Sequence, residues 1–495
     1  MTNTLSKRHA LAMTSEFSII EGFDPLSVFS AYRATVDDTD SYLLESVSGP
    51  EVDARASVIG FAPLFSLEMN GCQVAVSGEG SVVERVLQSC ERGGFSYDGQ
   101  LIHLDRTSDI WPLLRSMESA FDLSMLTVES WEAFGWFGYL GYDIAGSIEE
   151  LPRHISDSPG HPDLRLAIFQ GEVVLDHGSG AATLRWFRPV GYSSGKRDER
   201  MQAMRQALTQ FTNTPHRRAG SVPEPVNITT TVSQDAYENQ VRTALEYIAR
   251  GDIYQVQLGQ EVRVQSDAEP LEVYRRLRER NPSPYMYFAS VGDTTLIGAS
   301  PELFVRNERT KVTMRPIAGT KPAGFSRSDF LSDEKELAEH IMLVDLCRND
   351  LSRIIETNSL QVESLLNVEA YSHVAHLVST VSGRARPDTD KYDIIASGFP
   401  AGTMTGAPKI RAMEIIEELE SSRRGLYAGA VGRISFSGEV NLALCIRSVF
   451  LSDGTYSLRA SAGVVADSTP TGEYEETWQK MAACLWAVTG REVAR

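Results

Sequence analysis

A chain of 495 residues with 42% hydrophobic composition is long enough to bury a large core, and its composition is that of a globular protein rather than a disordered one. Lys and Arg number 47 against 66 Asp and Glu, and the resulting formal charge of -19 repels phosphate backbones and anionic lipid, which excludes nucleic acid as an expected partner. No run of about 18 apolar residues occurs, and Lys7, Arg8 and His9 are not followed by the apolar stretch of a signal sequence, so a soluble cytoplasmic protein with no membrane contact is expected.

In chain order, A-F-G-W-F-G-Y-L-G-Y at 133–142 and E-V-V-L at 172–175 read as strands, the first with glycines that point to close backbone approach. At 212–226 (T-N-T-P-H-R-R-A-G-S-V-P-E-P-V) Pro, Gly, Ser and charge replace any apolar period. That stretch is expected to link an N-terminal region, 14–211, to a C-terminal region, 227–490. Beyond it the pattern predicts a helix over 236–250, an extended segment over 253–264, a helix over 271–280 and a hairpin over 285–304. Irregular alternation of this kind predicts an α/β or α+β protein with large mixed sheets. Cys72, Cys90, Cys347, Cys445 and Cys484 lie far apart with no C-x-x-C pair, and read as buried or incidental thiols.

Between 331 and 355 the apolar residues Leu337, Ile341, Val344 and Leu351 keep helical spacing, which makes Glu336 and Glu339 neighbours on one face. Glu473 and Glu476 repeat the i, i+3 spacing just after Pro470 and Gly472, with Lys480 one turn further on. Taken singly, the second pair is what a first helical turn ordinarily carries, and the first is a solvated acidic face. If all four converged, each contact near 4 Å would cost roughly 4 kcal/mol at an effective dielectric of 20, and a cation would be required. All-oxygen ligands favour Mg²⁺ over zinc.

R-P-I-A-G-T-K-P at 315–322 and F-P-A-G-T-M-T-G-A-P-K-I-R at 399–411 are Gly/Thr loops, the second opening a helix with Pro408 suited to its first turn. Their N–H groups, with the hydroxyls of Thr320, Thr403 and Thr405, suit a carboxylate; a tight structural turn is the alternative. Neither matches a phosphate-binding motif. Arg447, in the strand-like run N-L-A-L-C-I-R-S-V-F, must face solvent or meet a buried anion. His373 and His376 sit three apart in a β-branched run, on opposite strand faces, so a shared metal site is not expected.

These residues resemble the chorismate-utilising enzymes, and among them the large subunit of anthranilate synthase. The likeness spans nearly the whole chain and is dense from about Val232 onward. It includes G-D-I-Y-Q-V at 251–256, N-P-S-P-Y-M at 281–286, G-A-S-P-E at 298–302, P-I-A-G-T at 316–320 and A-E-H-I-M-L-V-D-L-C-R-N-D-L at 338–351. It continues with Y-S-H-V-A-H-L-V-S at 371–379, P-A-G-T-M-T-G-A-P-K at 400–409 and A-G-V-V-A-D-S at 462–468; further upstream L-L-E-S at 43–46 and G-Y-L-G-Y-D at 138–143 also match.

The resemblance implies that Glu339 and Glu476 are magnesium ligands, with Glu336 and Glu473 as nearby carboxylates, and that the ion holds the ring carboxylate of chorismate. It implies that Arg447 and Tyr427 grip the enolpyruvyl carboxylate, aided by backbone at Gly319, Thr320 and Gly463. His376 is implied as the proton-transfer residue, Glu302 as a neighbour of the ring, and Thr403 and Lys480 as further substrate contacts. Ala318 and Gln255 stand where relatives that attack covalently or add water carry lysine, which leaves amination by ammonia at C2, loss of the C4 hydroxyl, then loss of pyruvate to give anthranilate.

Ammonia is expected from a separate glutamine amidotransferase subunit, since no cysteine sits in a G-x-C-x-G context, and an oligomer is expected. L-L-E-S (Glu45, Ser46) with Asn281, Pro282, Ser283, Pro284, Tyr285 and Met286 resembles a tryptophan feedback pocket; a strand end and a turn are the bland alternative. Ser461 stands where glycine is usual, Lys321 where arginine is, and Met404 where valine is common. A side chain at Ser461 reshapes the enolpyruvyl end, and that points to a second candidate, a 2-amino-2-deoxyisochorismate synthase of secondary metabolism that releases the aminated intermediate. A third, from another class, is a ligand-binding regulatory subunit that has lost catalysis.

Overall fold

Two long strands, Ala56–Asn70 and Leu164–Asp176, run antiparallel along their whole length and organise the rest of the molecule. The computed structural model describes residues 10–493 apart from 21, 37–39, 51, 54, 128–131, 157–159, 192–194, 212–216, 323–324, 326, 333 and 371–373. The register of the long pair shifts between Pro63 and Phe65, beside Ala62 at φ 57°, and the pair bends so that each half belongs to a different sheet.

From one half the first sheet grows through Ser41–Glu45, Tyr285–Val291, Thr294–Ser300, Ser448–Ser452, Thr455–Val464 and Gln255–Gln265. From the other half the second grows through Gly135–Leu140, Ala430–Ser435, Val440–Leu444, Leu303–Glu308, Lys311–Met314 and Val374–Arg384; Ile317–Pro322 and Gln361–Ala370 also pair with this last strand. These pairings are antiparallel, while Leu11–Ile20 adds a parallel contact to Phe121–Asp122. The layers face one another through Tyr42, stacked on Phe137 at 3.6 Å and edge-on to Phe169. The expected α+β class, with mixed and antiparallel sheets in two layers flanked by helices, is the one that forms.

Helices Gln234–Arg250, Pro270–Arg280 and Pro470–Thr489 cover the outer face of the first sheet, where Tyr237, Tyr274, Trp478 and Met481 join Val256 and Leu258 in one core. Burying each such side chain contributes about 1.5–3 kcal/mol. Their ends follow from the sequence: Ser233 and Thr469 cap N-termini through their hydroxyls, Pro470 opens its helix, and Gly251 closes the first at φ 84°. The glycines of 133–142 are needed for close approach, since a Cβ at Gly138 would lie 2.0 Å from the Arg165 carbonyl oxygen.

Strands from both sides of 212–226 pair with each other, Ser41–Glu45 with Tyr285–Val291 and Gly135–Leu140 with Ala430–Ser435, so the two regions share both sheets. Of the expected linker, 212–216 lie outside the described residues; further on, Ala219 N–H donates to Glu279 and Arg276 donates to the Gly220 carbonyl.

Four local expectations are corrected. The segment 315–322 is not a loop: Ile317–Pro322 is a strand, bulged at Gly319 with φ 65°. Arg447 lies not within a strand but in the connection between Val440–Leu444 and Ser448–Ser452, at φ 53°, a conformation that costs on the order of 1–3 kcal/mol for a residue with a Cβ. Pro408 is the N-cap of Lys409–Leu419 rather than part of its first turn. In the helix Glu334–Ser352, Val344 and Leu351 are buried, but Leu337 and Ile341 line an open apolar groove with Tyr254 and Leu346. Among the described residues no helix is long and apolar enough to cross a membrane.

Candidate active site

Strands Gln255–Gln265 and Thr455–Val464 supply the floor of the site. Their register sets Gln257 opposite Gly463 and Gly259 opposite Ser461, and the two-residue period puts Gln255, Gln257, Ser461 and Gly463 on one face. Ser461 Oγ–H donates to Gln257 Oε1 at 3.1 Å, and Tyr427 Oη stands 2.7 Å from Ser461 Oγ. A Cβ at Gly463 would lie 2.7 Å from Gln255 Nε2, 2.9 Å from Gln257 Nε2 and 3.4 Å from Glu339 Oε1, so this space is kept open by glycine.

Two helices reach this floor, one through Glu339 and the other through Lys480 and its partner Glu476. Glu339 accepts from Gln255 Nε2 at 2.7 Å, and Glu336 Oε2 would sit 2.6 Å from a Cβ at Gly319. From the C-terminal helix, Lys480 Nζ donates to the Ser461 carbonyl at 2.9 Å and pairs with Glu476 at 2.7 Å; Glu473, one turn before, is buried. Arg447 donates to the Lys480 carbonyl at 3.2 Å, and burial works against its charge while Cys484, Tyr427 and Glu476 favour it.

The second sheet contributes the titrating groups. His376 pairs in register with Thr320, and its Nδ1 lies 3.0 Å from the Gly319 carbonyl oxygen, which makes Nδ1 the protonated nitrogen and leaves Nε2 a lone pair. Burial lowers its pKa to about 4, so the ring is neutral at physiological pH. Glu302 is pushed the other way: burial raises it to about 8, opposed by the Thr403 hydroxyl and the Lys480 charge. It is therefore mostly protonated at neutral pH. The side chain of Thr320 and all of His373 lie outside the described residues.

Glu339, Ser461, Tyr427, Arg447, Lys480 and Glu476 are joined by the contacts above, and several of their partners carry no signal of their own in the sequence. Gln255, noticed only for not being lysine, holds Glu339; the alternation Gln255–Gln257 is the signal that could have placed both on the site face. Glu420, Arg424 and Arg459 form a fully buried cluster: Glu420 bonds both arginines and the Gly259 N–H, while Arg424 donates to the carbonyls of Met404 and Gln257. It clamps the Thr403 segment to the floor. His340 is buried with Nε2 2.6 Å from Ser379 Oγ, tying the Glu339 helix to the His376 strand. Charges and imidazoles buried by folding leave no local pattern in a sequence.

Glu336 and Glu339 on one helix and Glu473 and Glu476 on another carry oxygens of the type a hard divalent cation prefers, and glycine at 319 and 463 leaves room beside the first pair. Among the described residues, no three His, Cys, Asp or Glu side chains stand close enough together to hold a metal ion.

A separate cavity of about 280 Å³ between the layers is lined by Glu45, Ser46, Pro284, Tyr285 and Met286, with Tyr42, Phe137 and Arg306. Asn281, Pro282 and Ser283 of the expected regulatory set do not line it. Glu45 is buried and committed to both Arg278, at 3.0 Å through each oxygen, and Tyr274, at 2.6 Å. Asp53 bonds Arg306, Arg315 and Tyr285 at the cavity edge.

Carboxylates, a buried guanidinium and a neutral imidazole are thus held on strands and helices of the two antiparallel layers. A profile described as chorismate binding enzyme matches residues 85–485, and the chain belongs to that family. It is 48% identical over 473 residues to a 2-amino-4-deoxychorismate synthase from Streptomyces globisporus, covering 94% of each chain. It is 36% identical to an anthranilate synthase component 1 from Neisseria meningitidis serogroup B, covering 92% of this chain and 91% of that one. Among solved structures it resembles anthranilate synthase component I from Streptococcus pneumoniae at 32% identity and a TM-score of 0.71, covering 87% of this chain and 92% of that one. The Escherichia coli menaquinone-specific isochorismate synthase MenF, at 16% identity and a TM-score of 0.67 over 98% of both chains, shares the fold.

Proposed function

We propose that the chain aminates chorismate at C2 with ammonia, expels the C4 hydroxyl, and releases the product with its enolpyruvyl group intact, as a 2-amino-4-deoxychorismate. The observation that carries this reading is Ser461, whose hydroxyl occupies the floor of the site and engages Tyr427 at 2.7 Å. The 48% identity to a 2-amino-4-deoxychorismate synthase supports it. Glu302, held protonated by burial, is the acid for the departing hydroxyl, and Lys480 and Thr403 orient it. Arg447 receives a substrate carboxylate. Glu339 and Glu476, with Glu336 and Glu473 beside them, would hold Mg²⁺, which when bound supplies charge neutralisation for the other substrate carboxylate and Lewis-acid assistance.

The second reading is the full anthranilate synthase reaction, favoured by the neutral His376, whose Nδ1 faces the Gly319 carbonyl and whose Nε2 is the nitrogen suited to taking the C2 proton during pyruvate loss. Ammonia comes from a glutamine amidotransferase subunit, a partner consistent with the similarity to component 1 proteins. Tryptophan feedback through the 280 Å³ cavity is a further part of this proposal.

The test is product analysis with chorismate, Mg²⁺ and ammonium salt at mildly alkaline pH. A non-fluorescent aminated product that keeps the enolpyruvyl mass, with no pyruvate, is the expected result; fluorescent anthranilate with stoichiometric pyruvate would establish the second reading. No consumption would leave a binding protein.

A further inference from the structure

We infer that a small void lined by Arg263, Arg423, Arg424, Arg459 and Tyr427 is a binding site for one halide ion, separate from the substrate floor. The strand pair that forms that floor runs on past Gly259 and Ser461, and the same two-residue period sets Glu261 opposite Arg459 and Arg263 opposite Ser457 on the same face. Arg423 and Arg424 enter from the connection that follows the helix Lys409–Leu419. The space these side chains line with His161 and Ser457 measures about 20 Å³, which suits one monatomic ion or one water and is too small for a carboxylate or a phosphate.

The charge around that space is one-sided. Four guanidinium groups line it against a single carboxylate, Glu261, which is paired with Arg263 at 3.0 Å. The other acids bonded to these arginines do not line it: Glu420 holds Arg424 and Arg459, and Asp143 holds Arg423 at 3.0 Å. His161 adds no charge, because burial lowers its basicity despite the pull of Glu261 and Asp163. Arg459 spends Nη1 and Nη2 on Ser422, the Arg423 carbonyl and Glu420, yet its Nε is buried and meets no acceptor among the described residues. A buried donor without an acceptor is costly, and guanidinium groups, being weakly hydrated, suit an anion that sheds its own water readily. Water in the same place would offset none of the positive charge, whereas a halide accepts N–H donors and brings the missing negative charge with it. Tyr427 separates this void from Ser461, so the ion would sit directly behind the substrate floor.

The test is chlorine NMR on the full-length protein, with sodium gluconate replacing sodium chloride so that screening is the same throughout. Chloride exchanging into the void broadens the solution line, and excess bromide narrows it again. Ser457→Asp sets a tethered carboxylate opposite Arg263 and lowers the excess width by about threefold or more, while Ser457→Ala, which leaves the space open, stays within about twofold of the parent. The parent melts roughly 1–2 °C higher in chloride than in gluconate at about ten times Kd, and Ser457→Asp loses that difference. Equal excess widths in the parent and Ser457→Asp, the mark of chloride held by surface cations only, overturn the inference. Equal melting temperatures of the parent in the two salts, the result expected of a void that takes water, overturn it as well.

Discussion

Replacing Glu302 by Gln removes a carboxyl that burial holds protonated, and the pH profile of the unaltered protein should already report it. With its pKa moved from 4.5 to about 8, Glu302 is about 90% protonated at pH 7 and about 10% at pH 9. If it is the acid for C4 hydroxyl loss, chorismate consumption at saturating Mg²⁺ and constant free ammonia falls roughly tenfold between those pH values. Glu302→Gln lowers kcat by about 10²–10⁴ and abolishes that limb. The same group leaves a mark on stability. A carboxyl raised on folding binds more protons folded than unfolded, so its contribution is fully present below pH 4.5 and is lost as pH rises toward 8. The variant should therefore lose stability less steeply than the parent over that window in urea melts. A profile flat to pH 9, or a Gln variant within threefold of the parent at pH 7, would refute the acid role.

Glu339→Gln and Glu476→Gln should each abolish Mg²⁺-dependent turnover and weaken Mg²⁺ binding measured by calorimetry, with circular dichroism unchanged; full metal-dependent activity in both would remove these residues from the metal site. Glu420→Ala strands two buried arginines, Arg424 and Arg459, and should cost about 3–5 kcal/mol in denaturant unfolding; a loss under 1 kcal/mol would mean that water or rearrangement replaces the cluster. Tryptophan, if it enters the 280 Å³ cavity, should raise the melting temperature and inhibit, and Tyr42→Ala should abolish both effects. No thermal shift at millimolar tryptophan counts against that cavity as its site.

Periodicity and capping made much of the secondary structure legible. Ser233 and Gly251 bound one helix, Thr469 with Pro470 opens another, and both hold as local rules predict because each needs only neighbours in sequence. The strand status of 317–322 was not legible, since its glycine and threonine read as loop while its pairing is with a strand more than fifty residues away, Val374–Arg384. Arg447 shows the same limit from the other side. Its apolar flanks suggested a strand, whereas it takes a positive φ and donates to the Lys480 carbonyl of the C-terminal helix, a residue 33 positions further on.

The chemical inventory was legible without a fold: which carboxylates, which guanidinium, which imidazole, and that no lysine stands at 255 or 318. So was the family, because ordered motifs survive without any knowledge of their contacts. The state of those groups depends on what folding packs around them. Glu302 and His376 are ordinary titrating residues in a chain, and burial is the largest cause of the rise in one and the fall in the other, while the contacts of Ser461 with Gln257 and Tyr427 exist only where two strands and a loop meet. Desolvation and hydrogen-bond direction are properties of an enclosed space, and a space enclosed by residues from 255 to 480 is not written in any one stretch of the sequence.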